Sequence, residues 1–104
     1  WHFFKLRVLG NKRVQLDWET LTEINAASFF IERKTNNADW EIIGELRAAG
    51  NSNENTSYQF IDENPPIGTI YYRLQELSAT GIMSYTSIIS CKIDRSVTAS
   101  GAAL

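Results

Sequence analysis

Nucleophilic chemistry has little to draw on here: one cysteine, Cys91, and one histidine, His2. A thiol nucleophile needs a base beside it to take its proton. Cys91 alternates in phase with Ile89 and Ile93, the pattern of an inward strand position, and burial among aliphatic groups makes a thiol inert. His2 stands at the opposite end of the chain. Cys91 is therefore expected as a small core residue, and no Cys–His dyad is expected. Acidic pairs occur at Asp17/Glu19 and Asp62/Glu63. Glycosidic cleavage needs two carboxyls facing each other across a bound sugar. Asp17 and Glu19 instead alternate with Val14, Leu16 and Trp18, which projects them from the outside of a sheet into water. Both pairs read as solvated charge.

Oxygen ligands cluster in the loop "GNSNENTS", at Asn51, Asn53, Glu54 and Asn55. Only Glu54 is anionic, and the spacing is not that of a calcium loop. A polar hairpin connection is expected, with no metal and no cofactor. Among aromatic residues, Trp18 is in phase with the core and Trp1 is terminal. Strict alternation in "DWEIIGEL" turns Trp40 inward with Ile42 and Leu46, leaving Glu41, Ile43, Glu45 and Arg47 outside. One β-bulge near the Asn36–Asp39 turn would reverse that parity and expose the indole. Trp40 and Tyr71 would then form a platform able to stack on a sugar ring. Arg33 and Arg73, in "IERK" and "YYR", are expected to pair with Glu32, Glu41 or Glu45 on the sheet surface.

What must position these residues is a set of strands, because period-2 alternation recurs along the chain and helical spacing does not. "FFKLRVL" puts Phe4, Leu6 and Val8 on one face, and "KRVQLDWE" does the same with Val14, Leu16 and Trp18. The pattern repeats at Phe29/Ile31, Trp40/Ile42/Leu46, Tyr58/Phe60, Tyr72/Leu74 and Tyr85/Ile89/Cys91/Ile93. Between these runs stand turn residues: Gly10-Asn11, Asn36-Asn37, "GNSNEN", "DENPPIG" and "SATG". "TLTEINAAS" is compatible with a helical turn. About seven short alternating strands in a chain of 104 residues predict an all-β, two-sheet antiparallel β-sandwich. The first, second and fifth strands are expected in one sheet and the other four in the second. Residues 1–95 form the expected domain, and 96–104, "SVTASGAAL", an expected tail or linker.

Bulk properties narrow the function classes. Ten basic and twelve acidic residues give a net charge of −2, without the basic surplus that phosphate neutralisation demands, so no nucleic-acid partner is expected. No apolar run reaches the length of a membrane span, so no membrane insertion is expected. The chain opens on Trp1 without a signal peptide, and is expected to be a piece of a longer protein. A monomer is expected.

The run "PPIGTIYYRLQELSATG" resembles the sixth-strand region of fibronectin type III and immunoglobulin-like sandwiches. Tyr72 would be the tyrosine that hydrogen-bonds back across the preceding corner, with Leu74 behind it and Trp18 as the core tryptophan. A closer resemblance is to a fibronectin type III-like module of large secreted and surface proteins of the Bacteroidetes. It rests on Trp18 and Thr20, Glu23 and Asn25, Phe29 with Ile31-Glu32-Arg33, and Trp40 before Ile43-Gly44. It continues through Ala49-Gly50-Asn51, Tyr58 with Phe60 and Asp62, and Tyr71 to Leu74. In that family the module often precedes a C-terminal sorting domain of the type IX secretion route. Two features depart from it: the turn Thr35-Asn36-Asn37-Ala38-Asp39 replaces an Asp-Gly type turn, and "DRSVTASGAAL" contains no sorting-domain sequence. The resemblance implies an extracellular or cell-surface location and a non-catalytic spacer, presentation or interaction role. The implied partners are neighbouring domains of the parent chain and protein or polysaccharide at the cell surface. The alternative expectation is a carbohydrate-binding accessory module of a polysaccharide-degrading enzyme.

Overall fold

A computed structural model describes residues 3–10, 12–21, 26–48 and 54–94. The described chain is all-β, with eight strands: β1 (Phe3–Val8), β2 (Val14–Thr20), β3 (Ala26–Thr35), β4 (Glu41–Arg47), β5 (Thr56–Asp62), β6 (Gly68–Ser78), β7 (Met83–Tyr85) and β8 (Ile89–Ile93). They form a three-stranded sheet, β1-β2-β5, and a five-stranded sheet, β4-β3-β6-β7, in which β8 also pairs with β6. Every pairing is antiparallel. This is the expected division of strands. Of the stretch read as compatible with a helical turn, Thr20 ends β2 and residues 26–28 open β3, while 22–25, the Asn-rich loop up to Asn53 and the tail lie outside the described residues.

Alternation builds the core. Val14, Leu16 and Trp18 of β2 face Phe29 and Ile31 of β3 and Ile70, Tyr72 and Leu74 of β6, all fully buried. A sheet packs stably when one face of each strand is apolar, because the two inner faces then exclude water together. The Trp18 indole stacks on Tyr58, with centroids 5.6 Å apart, and meets Phe29 edge-on at 5.7 Å. Cys91 packs against this core beside Ile89 and Ile93, as its phase predicted.

Two register shifts change which side chains face out. In the β3–β4 pair, Ile31 is opposite Gly44 but Glu32 is opposite Ile42, so Ile43 is the extra residue of a bulge. From there towards the Asn36–Asp39 turn the parity of β4 is reversed. Ile42 is 58% exposed, whereas Ile43 packs against the core. The expected inward register of Trp40 and Ile42 is thus corrected: both lie on the outer side. Gly44 is required by the same packing, since a Cβ there would sit 2.6 Å from Cζ of Phe60.

The second shift splits the expected last strand. β7 pairs Gln75 with Tyr85, and β8 pairs Tyr72 with Ile89, one residue out of step. The joint is Thr86, whose N–H donates to Leu74 O at 3.0 Å and whose hydroxyl accepts the Leu74 N–H at 2.9 Å. A side chain here takes a ladder position, which is how a bulge keeps buried backbone groups satisfied. As a result Tyr85, expected inside with Ile89, is outside and 46% exposed. Ile88 is left exposed as well.

Two of the described turns show how a positive φ is supplied. Gly81 closes the β6–β7 hairpin at φ 90°, with Ser78 Oγ accepting the N–H groups of Thr80 and Ile82. In the β1–β2 hairpin, among the described residues, Lys12 is left-handed at φ 68° and Gly10 is not.

Candidate functional site

Polar side chains are held in two places on β3 and β6, one on each face of the five-stranded sheet. On the inner face, Arg33 follows Phe29 and Ile31 in phase, and Asp62 follows Tyr58 and Phe60 on β5. Arg33 is opposite Tyr72, and Asp62 is opposite Val14. The pairings bring Arg33, Asp62 and Tyr72 together at one end of the sandwich. Arg33 Nη1 donates to both Asp62 oxygens at 2.9 Å, and Tyr72 Oη donates to Asp62 Oδ2 at 2.7 Å. Arg33 Nη2 continues to Glu41 Oε1 at 2.9 Å. Two sequence expectations are corrected. Asp62 is buried and not a solvated carboxylate, and Arg33 faces inward and does not lie on the open sheet surface. The Tyr72 hydroxyl does reach back across the corner, but to a carboxylate.

Electrostatics make this cluster a clamp between sheets. Burial alone would lower the Arg33 pKa; its hydrogen bonds to Asp62 and Glu41 outweigh that and hold it above the ordinary arginine value. Burial, and then the hydrogen bond to Asp62, pushes the Tyr72 phenol far up, so it remains a donor. The Nη groups of Arg33, the Asp62 carboxylate and the Tyr72 hydroxyl are paired within the group, while Arg33 Nε is buried without a partner. Such an arrangement joins layers and offers a substrate no free nucleophile.

On the outer face, Glu32 is opposite Arg73, whose Nε donates to Glu32 Oε1 at 2.7 Å. The Arg73 guanidinium lies 4.2 Å from the centroid of a Trp40 ring and 4.3 Å from that of Tyr85. To reach Arg73 on β6 from its position before β4, the indole crosses β3. Guanidinium planes stack well on aromatic faces, so Arg73 fixes both rings while its charge is met by Glu32. Glu32, expected on the surface, is buried beneath this layer, at 6% exposure.

Beside the stack is a shallow hollow of 280 Å³ lined by Lys34, Trp40, Tyr71 and Ile88. Lys34 is opposite Tyr71 in the β3–β6 ladder, and its ammonium lies 5.7 Å from the Tyr71 ring centroid. Its one hydrogen bond, to the Thr35 carbonyl, is long at 3.4 Å. No carboxylate of the described residues pairs with it. Tyr71 Oη donates to Asn36 Oδ1 at 3.2 Å. Sequence reasoning named Trp40 and Tyr71 as a conditional platform; the bulge, at Ile43 within β4, turns Trp40 to the outer side, where it is half-buried against Arg73. It missed Tyr85, which the shift between β7 and β8 turns outward, and it passed over Lys34 and Ile88, which simple alternation with Arg33 and Ile89 already places on this face.

The three-stranded sheet presents the opposite character. Asp17 accepts from Gln15 Nε2 at 2.9 Å, Arg7 Nη2 donates to Gln15 Oε1 at 3.2 Å, and Ser57 Oγ donates to Glu19 Oε2 at 3.1 Å. Asp17 and Glu19 are therefore engaged with neighbours on an open surface and do not face each other across a cleft. Glu63 meets Arg13 at 3.3 Å. The Cys91 thiol is pushed up by burial and then by the charge of Asp62, while His2 lies outside the described residues. Among the described residues no three His, Cys, Asp or Glu side chains converge as a metal site, and Asn51 and Asn53 of the candidate loop lie outside them. No described helix is long and apolar enough to cross a membrane.

Comparison with protein-family models, with curated proteins and with solved structures gives no match.

Proposed function

We propose that this chain is a non-catalytic β-sandwich module, fibronectin type III-like in kind, that binds saccharide on the outer face of its five-stranded sheet. The observation that carries this reading is the aromatic hollow of Trp40, Tyr71, Lys34 and Ile88. Three further exposed side chains, Ile42, Met83 and Tyr85, extend the same face. Saccharide sites combine a broad carbon surface, which covers the C–H face of a pyranose, with a few polar groups that fix its hydroxyls. Trp40 and Tyr71 supply the first, and Lys34 and Asn36 the second. A pure spacer needs only solvated faces; the other sheet comes closer to that, since its own 280 Å³ hollow is lined chiefly by the polar side chains of Lys5, Arg7, Gln15 and Asp17. The proposal assigns the module to a secreted or cell-surface protein, with the motif resemblance as its support, and to the service of neighbouring domains of that protein.

Tryptophan fluorescence tests this reading. Trp18 is fully buried, so in a Trp1→Phe background a ligand on the outer face reports through Trp40. Saturable quenching by plant or bacterial glycan oligomers, lost in Trp40→Ala with the urea unfolding transition retained, is the expected result. Flat titrations across neutral and acidic oligomers would leave the module a spacer.

A further inference from the structure

The hollow has a charge that its own surroundings do not answer. Of the two cations on this face near the aromatic rings, Arg73 is matched by buried Glu32 at 2.7 Å. Lys34 has only the long bond to the Thr35 carbonyl and the π-face of Tyr71. Both contacts leave an ammonium short of an anion, and it stands at the margin of carbon surface from Trp40, Tyr71 and Ile88. A ligand that complements this site has an apolar ring face and one carboxylate at its edge. Building on the saccharide reading, we propose that the hollow selects an acidic sugar residue, a hexuronate unit of a polysaccharide. Its pyranose lies against Trp40 and Tyr71, and its carboxylate meets Lys34 Nζ.

Size and location favour this occupant over an acidic peptide. At 280 Å³ the hollow is at the lower end of small-ligand pockets, enough for a ring or two of a chain that continues over the surface. A peptide strand gains affinity by adding to a sheet edge, where unpaired N–H and C=O groups wait. The hollow instead lies on a sheet face, above β3 and β6, whose ladders are already filled on both sides. An extended peptide there would leave its backbone groups unsatisfied, whereas sugar hydroxyls remain open to water.

The decisive experiment compares polygalacturonate oligomers with their methyl esters of equal length, by calorimetry or Trp40 fluorescence on the purified chain. The acid form should bind about fivefold more tightly than the ester at low salt, the worth of one half-exposed ion pair. That advantage should shrink at high salt, since ions screen exposed charges. Lys34→Gln should abolish the preference for the acid over the ester, while Lys5→Gln, on the outer face of the other sheet, should preserve it. Equal affinity for acid and ester in the wild type would overturn the selectivity and leave the saccharide reading standing. Binding of neither would overturn both. Tighter binding of a poly-glutamate peptide than of either oligomer would replace the sugar with an acidic peptide and refute the proposal.

Discussion

Tyr72→Phe removes one oxygen atom, and the structure fixes what that atom does. It donates at 2.7 Å to Asp62, whose side chain is 6% exposed, from a residue that is itself fully buried. A hydrogen bond to a charged group is worth about 1.5–3 kcal/mol net. Asp62 keeps both contacts from Arg33 Nη1, so its carboxylate is not abandoned and a loss of about 2 kcal/mol is expected. Asp62→Ala is more severe. It strands the phenol and leaves Arg33 with Glu41, which at 61% exposure is well screened by solvent, and with a long 3.5 Å contact to the Asn64 carbonyl. Breaking a buried pair in this way costs about 3–5 kcal/mol. In the Asp62→Ala background the phenol has lost its acceptor, so adding Tyr72→Phe should cost almost nothing. The double-mutant cycle should therefore give a coupling of about 2 kcal/mol. Urea unfolding at neutral pH reads this directly. With a slope of about 1.3 kcal/mol per molar, Tyr72→Phe should lower the midpoint by roughly 1.5 M. A loss below about 0.5 kcal/mol for Tyr72→Phe, or strict additivity with Asp62→Ala, would refute the clamp between sheets.

Two other perturbations test the packing and the electrostatics. Gly44→Ala drives a methyl against the Phe60 ring and should destabilise by about 1–3 kcal/mol, with Phe60→Leu relieving part of the loss in the double variant; urea midpoints equal to wild type would contradict the close approach. At high pH, the folded Tyr72 keeps a proton that the unfolded chain releases near its ordinary pKa of 10.0. Its contribution is therefore complete below that pH, and above it stability should fall by about 1.4 kcal/mol per pH unit. Cys91, also raised, begins the same decline from near 9.0. Tyr72→Phe should remove the steeper part of the decline, and parallel pH profiles for the two proteins would count against the buried phenol.

Period-2 alternation was enough to read the sandwich and its division into sheets, because each strand from β1 to β6 keeps one apolar face over most of its length. The same rule, followed further, points to the clamp. Arg33 is in phase with Phe29 and Ile31, and Asp62 with Tyr58 and Phe60, so an inward Arg–Asp pair is implied wherever their strands face. Treating charge as a sign of exposure obscured it. The outer face was not legible for a different reason. Ile43 and the Thr86–Ile88 joint each insert one residue, and every side chain beyond an insertion changes sides. No local residue preference marks Ile43 as the extra residue, since Ile42 and Ile43 are the same amino acid and only one of them meets the core. The fate of Trp40, Ile42 and Tyr85 was set by those two shifts. The Trp40–Arg73–Tyr85 stack then covered Glu32, a burial that alternation alone would never assign to an outer-face carboxylate.

The most direct test of the proposed saccharide face is nuclear magnetic resonance of the isotope-labelled chain titrated with polygalacturonate oligomers. Saturating shifts should concentrate on the Trp40 indole N–H and on the backbone amides of Lys34, Tyr71, Arg73 and Ile88. The amides of Lys5, Arg7, Gln15 and Asp17, on the outer face of the three-stranded sheet, should stay in place. Shifts centred on that polar sheet, or none at millimolar ligand, would contradict the assignment of the five-stranded sheet as the binding face.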